Sequence, residues 1–203
     1  MNIFNDRMKL AKICHDRSVK AGWWKPQVDV TEPILINRKF NLIHSELAEV
    51  TEAHRKDLMS EKLFEVHGVV EELADFAIRV FDLLGYFGNN NGIIKTNLKQ
   101  ASEDYIRETC PEILQISSLE SLIGVCHILT AKAQGLVING VKPSFAPSVY
   151  LVGCILALEY MREDINDEFD CDIRDAIEMK LNYNLIRKDH KKEVREAAGG
   201  KRY

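Results

Sequence analysis

The chain has 203 residues, with 27 basic and 31 acidic side chains and a formal charge of −4 at pH 7. That balance argues against a nucleic-acid binder, which usually carries an excess of Lys and Arg. The hydrophobic share of 46% is enough for a buried core and argues against disorder. No apolar run approaches the roughly 20 residues of a membrane span, and the N-terminus mixes acids with bases, so we expect neither a span nor a signal peptide.

Helical periodicity dominates the chain, and no segment shows the strict alternation of a strand. In chain order we predict helices over residues 3–20, 34–58, 61–86, 93–108, 118–137, 147–163 and 171–187. A loop containing Gly22 to Pro26 separates the first two helices, and the Asn- and Gly-rich segment 87–92 is predicted to be a turn. We therefore expect an all-α helical bundle, a single domain over 1–203 that ends in a basic tail at 188–203.

The cysteines and glycines exclude several common kinds of site. Five cysteines lie far apart and include no C-x-x-C pair, so neither a thiolate zinc site nor a disulfide framework is expected. A reducing cytoplasm fits this cysteine usage best. The glycines form neither G-x-G-x-x-G nor G-x-x-x-x-G-K-[ST], so any phosphate chemistry would depend on carboxylates, a metal and basic side chains.

Two predicted helices each carry a pair of acids three positions apart. Glu46 and Glu49 lie in helix 34–58, and Glu72 and Asp75 lie in helix 61–86. Residues at i and i+3 are neighbours on a helix surface, so two antiparallel helices could direct all four carboxylates at one point. A hard divalent cation such as Mg²⁺ would remove their mutual repulsion. Ordinary solvated helix faces have the same spacing, with Asp75 and Arg79 then forming an i,i+4 ion pair.

The order E-x-x-E, 22 residues, E-x-x-D resembles the metal motif of the all-α nucleoside triphosphate pyrophosphohydrolases, which include MazG-like proteins and dimeric dUTPases. The segment Ala21-Gly22-Trp23-Trp24 precedes the first pair, and Ser45–Glu49 continues to Ala53–Lys56, as in that family. Lys180-x3-Asn184-x2-Arg187, followed by Gly199-Gly200-Lys201, resembles the C-terminal segment of the dimeric dUTPases and phage MazG-like proteins. The resemblance covers about 20–86 and 175–203.

The resemblance implies a hydrolase of phosphoric anhydride bonds. It cuts a nucleoside triphosphate at the α-phosphorus and yields a monophosphate and pyrophosphate. Four acids would bind Mg²⁺, with Mn²⁺ as a substitute: Glu46, Glu49, Glu72 and Asp75. Glu49 is the first candidate for the carboxylate that takes the proton of the attacking water. A dUTPase and a broader house-cleaning deoxynucleotide hydrolase both fit, so the preferred base stays open.

Five further residues are candidates for substrate binding by the same resemblance: Lys180, Asn184, Arg187, Trp23 and Trp24. The first three would contact phosphates or the sugar, although Lys180 and Arg187 equally fit a basic last turn that complements the helix dipole. One tryptophan ring could stack on the base, and we expect at least one of the pair to fill core space under its loop.

The remaining expectations concern assembly, location and competing functions. Apolar helices at 118–137 and 147–163, together with the habit of the family, predict a homodimer, and neither nucleic acid nor membrane is expected as a partner. A carboxylate-bridged di-iron protein would need Glu-x-x-His pairs, which the sequence lacks. A non-catalytic helical dimerisation or regulatory module of the same fold is the alternative to the enzyme.

Overall fold

The computed structural model describes residues 7–24, 31–90, 103–140 and 145–187. Within these ranges the α-helices are α1 (Arg7–Lys20), α2 (Glu32–Lys56), α3 (Gly68–Asn90), α4 (Glu103–Thr109), α5 (Leu119–Ile138), α6 (Phe145–Tyr160), α7 (Arg162–Phe169) and α8 (Ile173–Ile186), with a 3-10 helix at Pro111–Gln115. The described residues form no strand, only an isolated bridge between Met59 and His67. The predicted all-α class is confirmed; the basic tail at 188–203 and positions 93–102 lie outside the described residues.

α3 is the central helix of the bundle. It packs against α1, α2, α6 and α8, and its side chains at Leu73, Phe76 and Val80 are fully buried. At Gly85, α1 approaches so closely that a Cβ atom there would lie 2.4 Å from the carbonyl oxygen of Ala11. Only glycine allows that backbone contact, so α1 and α3 pack at a distance that no other residue type would permit.

α2 and α3 run antiparallel. The Nε of Arg79 donates a hydrogen bond to Glu46 at 2.9 Å, and the Nζ of Lys39 approaches Asp82 at 3.4 Å. A residue that lies earlier on α2 thus pairs with a residue that lies later on α3. This reversal brings the two acid-bearing segments of the sequence side by side, as an antiparallel helix pair requires.

The ends of α3 differ from the sequence prediction. The helix begins at Gly68 and not near 61, because Asp57 (φ 53°) and Glu65 (φ 58°) adopt left-handed backbone that interrupts helical continuation. At its other end α3 continues through Asn90, so the turn predicted at 87–92 is wrong for 87–90. Phe87 is fully buried there, and burial of its ring outweighs the local preference of Asn and Gly for a turn.

α5 and α6 form the second apolar layer. The predicted helix 147–163 is two helices, α6 and α7, which bend by 48° relative to each other near Met161. Nine side chains suggested a surplus apolar face for dimerisation: Leu122, Val125, Ile128, Leu129, Val149, Val152, Ile155, Leu156 and Leu158. All except Ile128, which is 47% exposed, are buried inside the single chain. They supply no surplus face, because α3, α4 and α5 already cover α6.

α5 is nevertheless long and apolar enough to cross a membrane by length and composition, contrary to the expectation from sequence. Its best 18-residue window has a mean hydropathy of 1.5, and 44% of that window is buried inside the protein. α6 and α7 pass the same test when taken as one bent segment. The core helix of a globular protein also meets these criteria, and α5 packs against α2 and α6.

Candidate functional site

Three of the four motif acids meet between α2 and α3. Glu46, Glu72 and Asp75 each offer a carboxylate oxygen, and the three atoms lie within 4.8 Å of one another. Glu72 and Asp75 are one turn apart on α3, and the antiparallel packing places Glu46 opposite them. Because Mg–O bonds are about 2.0–2.1 Å long, two ligands of one ion lie at most about 4.2 Å apart. Small side-chain rotations would therefore bring these oxygens to a single cation.

Glu49 lies at the edge of this carboxylate group. Its side chain is exposed, and its Oε1 accepts a hydrogen bond from the hydroxyl of Ser45 at 3.3 Å. Burial is the main cause that raises the pKa of Glu46 and of Glu72, and the negative charge of Glu49 adds to both rises. Glu49 is thus close enough to act on the group electrostatically without belonging to its buried part.

Glu72 is the least satisfied member of the group. Burial raises its pKa to about 7, against the opposing effect of Lys62, and the charges of Asp75 and Glu71 raise it further. Its Oε2 is buried without a hydrogen-bond partner. Leaving a buried polar atom unpaired costs roughly 1–3 kcal/mol. Carboxylate oxygens are hard ligands, so the donor set and this unpaired atom both fit Mg²⁺.

Basic side chains surround the same group. Each carboxylate has one basic neighbour, at N–O distances of 2.9, 3.7 and 2.8 Å: Arg79 with Glu46, Lys62 with Glu72, and Lys180 with Asp75. The i,i+4 pair between Asp75 and Arg79 that sequence spacing allowed is therefore replaced by pairs that cross between helices. These contacts join α3 to α2, to α8 and to the segment before α3.

Lys180 lies against the carboxylates and not in the wall of the neighbouring cavity. Its side chain is completely buried, and its ammonium group pairs with Glu71 and Asp75. Glu71 also accepts hydrogen bonds from Ser60 and Lys62; burial alone would raise its pKa, but these partners hold it below the usual value. Lys180 therefore faces the carboxylates and is not among the residues that line the neighbouring cavity.

A cavity of about 470 Å³ adjoins the carboxylate group. Its walls come from α1 and the turn after it, from α3, and from the end of α8: Cys14, Arg17, Ser18, Lys20, Ala21, Trp23, Asp75, Ile78, Arg79, Asp82, Leu181, Asn184, Leu185 and Arg187. Asp75 belongs to both the cavity wall and the carboxylate group. The cavity also brings together Trp23, Asn184 and Arg187, three of the five residues predicted to bind substrate.

Trp24 has a structural position beside an acid that the sequence analysis missed. Four side chains donate to or pair with Asp82 at 2.7–3.4 Å: His15, Ser18, Trp24 and Lys39. The ring of Trp24 also stacks on Tyr86 with centroids 4.3 Å apart. Burial alone would raise the pKa of Asp82, but Lys39 and the hydrogen bonds hold it below the usual value. The sequence feature that could have revealed this network is an acidic residue, Asp82, within the otherwise strongly apolar helix α3.

Comparisons with protein-family models, with curated proteins and with solved structures found no match to this chain. The resemblance to the all-α pyrophosphohydrolases thus rests on the motif residues themselves, and it remains a prediction.

Proposed function

We propose that this protein is a Mg²⁺-dependent nucleoside triphosphate pyrophosphohydrolase, which converts a (deoxy)nucleoside triphosphate and water to the monophosphate and pyrophosphate. The observation that carries the proposal is the group of Glu46, Glu72 and Asp75, whose oxygens lie within 4.8 Å of one another beside a cavity of about 470 Å³. A cavity of this size is in the range of small-molecule sites.

The charge balance around this group supports a divalent ligand. Five carboxylates face three basic side chains: Glu46, Glu49, Glu71, Glu72 and Asp75 against Lys62, Arg79 and Lys180. With Glu72 ionised, one negative charge stays unbalanced among the four buried or half-buried acids of the described residues, and the exposed Glu49 adds a second at the edge. One divalent cation would neutralise them.

The proposed chemistry divides into binding and proton transfer. Glu46, Glu72 and Asp75 would hold Mg²⁺, or Mn²⁺ in its place, which supplies neutralisation of phosphate charge and a lowered pKa for bound water. Glu49 at the edge of the group would take the proton of the attacking water. The water oxygen bonds to the α-phosphorus while the bond to the bridging oxygen breaks, and pyrophosphate leaves with that oxygen.

The test is product analysis with a panel of ribo- and deoxynucleoside triphosphates and Mg²⁺. We expect a monophosphate and pyrophosphate in equal amounts, and loss of turnover in Glu72→Gln with helical content unchanged. Glu52→Gln is the matched control, because Glu52 is a partly exposed acid of α2, outside the carboxylate group, that pairs with Arg55. Release of orthophosphate would place the attack at the γ-phosphorus and reject the mechanism, and no product from any nucleotide would reject the enzyme.

A second candidate, a non-catalytic helical dimerisation or regulatory module, is favoured by a specific observation. Every carboxylate of the group already has a basic neighbour, so the network could serve only to join helices. Such a module would bind no Mg²⁺ at millimolar concentration, whereas the enzyme would.

We further infer a homodimer located in the cytoplasm. The resemblance supports the homodimer, and the cysteine usage supports the cytoplasm. The apolar faces of α5 and α6 no longer support a dimer, because they are buried within the single chain. Sedimentation equilibrium would test the assembly, by a mass of 23.2 kDa or twice that value.

A further inference from the structure

We infer that Arg17 and Lys20 of α1 bind the polyphosphate of the substrate, a role for which the resemblance implied Lys180, Asn184 and Arg187. The inference rests on the proposed function for the identity of the ligand, a nucleoside triphosphate. Its physical basis is a cavity wall with two cationic groups that form no ion pair with any acid in the part of the chain that the structure describes.

Both side chains line the cavity, opposite the helix that carries the acids. Arg17 and Lys20 lie in the last turn of α1, and Asp75 on α3 lines the same cavity while belonging to the carboxylate group. An anion held at the α1 wall would therefore have the carboxylates, and any cation that they bind, beside it.

Neither of these two charges is paired with an acid of the described residues. Among residues 7–24, 31–90, 103–140 and 145–187, no carboxylate forms an ion pair with Arg17 or Lys20, and Arg17 donates to the neutral carbonyl of Leu181 at 2.9 Å. By contrast Lys12, on the same helix but outside the cavity, pairs with Asp16. Lys180 is buried against Glu71 and Asp75 and does not line the cavity.

A second polar feature of the cavity narrows the ligand class. The Oδ1 atom of Asn184 is buried without a hydrogen-bond partner in the cavity wall. An amide oxygen can only accept, so its partner must be an O–H or N–H donor, which a sugar or a base carries. Cationic groups and an unpaired acceptor in one cavity fit a phosphorylated polar molecule better than a simple inorganic anion.

A competing explanation is purely local. Cations in the last turn of a helix complement its dipole whether or not a ligand binds. That role would change stability slightly and would leave anion binding untouched, so the two explanations predict different measurements.

The experiment is calorimetric titration with inorganic tripolyphosphate in buffer stripped of divalent cations. The wild-type protein and the control variant Lys12→Gln should bind with the same affinity. Arg17→Gln and Lys20→Gln should each weaken binding by about tenfold or more, as expected when a charge-assisted hydrogen bond is lost. Arg17→Gln also removes the bond to Leu181, so the exposed Lys20 provides the variant that leaves packing intact, checked by circular dichroism.

Two results would overturn the inference: wild-type protein that does not bind tripolyphosphate, or a Lys20→Gln variant that binds it as wild type does. Because this titration involves neither metal nor turnover, it is separate from the test of the proposed function. Specific binding without cleavage of any nucleotide would support the anion site and reject the enzyme. Cleavage with unchanged binding in both variants would support the enzyme and reject the anion site.

Discussion

α3 carries two buried acidic regions that differ in how completely their polar atoms are paired. Asp82 is surrounded by four donors or cations, and these partners hold its pKa below the usual value in spite of burial. Glu72, about three turns earlier, has one unpaired buried oxygen and a pKa raised to about 7. The carboxylate of the first region is fully paired among the described residues, whereas that of the second keeps one buried oxygen without a partner. That difference separates a structural network from a candidate binding site on a single helix.

The comparison predicts the largest loss of stability at the complete network. Asp82→Ala removes the carboxylate that the buried Lys39 and three other side chains contact, so the free energy of unfolding should fall by about 3–5 kcal/mol. Urea denaturation followed by circular dichroism measures this. The control Asp16→Ala removes an exposed i,i+4 partner of Lys12 and should change stability by less than about 0.5 kcal/mol. A loss at Asp82 no larger than the control would remove the distinction.

Lys180→Met tests the same difference by removing a cation that pairs with the carboxylates. The variant leaves Glu71 and Asp75 with less compensation, and we expect a loss of about 2–3 kcal/mol. Added Mg²⁺ should raise the melting temperature of the variant more than that of wild type, because its carboxylate group carries one more uncompensated charge. Equal Mg²⁺ shifts in the two proteins would contradict a shared cation site.

The pH dependence of the metal-free protein distinguishes the two acids directly. The pKa of Glu72 is about 7 in the folded state and 4.5 for an unperturbed glutamate, so the folded state binds more protons between these two pH values. The contribution of Glu72 to the free energy of unfolding is therefore fully present below pH 4.5 and is lost as the pH rises to about 7. After allowance for solvent screening, we expect this loss to be about 1–2 kcal/mol. Glu72→Gln should lack this decline in denaturation measurements at pH 5 and pH 7.5; an unchanged pH slope would argue against the raised pKa.

The smallest expected effect on stability accompanies a large expected effect on activity. Glu49 is exposed, so Glu49→Gln should change the unfolding free energy by less than about 0.5 kcal/mol. Turnover should fall by about 100-fold or more if its carboxylate takes the proton. Initial rates with the best nucleotide of the panel measure this, beside Glu52→Gln. Full activity in Glu49→Gln would mean that another residue takes the proton of the attacking water.

Local sequence signals predicted the all-α class and the two helices that carry the acids. The i,i+3 spacing of Glu72 and Asp75 is a property of one helix, and the apolar stripe of α3 reports its central position. The meeting of Glu46 with these acids also follows once the two helices are antiparallel. These features depend on neighbours within a few turns.

The parts that sequence reasoning missed depend on distant contacts. Lys180 pairs with Glu71 across 109 positions, and His15 reaches Asp82 across 67, so no periodicity could reveal either pair. The cavity draws its walls from α1, α3 and α8, which are far apart along the chain. Burial of Phe87 in the core also extends α3 to Asn90, through positions where the local preference of Asn and Gly favoured a turn.

The backbone contact at Gly85 has a consequence for the cavity between α1 and α3. Because a Cβ atom at this position would meet the carbonyl oxygen of Ala11 at 2.4 Å, any larger residue would push the two helix backbones apart. Both helices supply walls of the cavity, so its width depends on a glycine that does not itself line it.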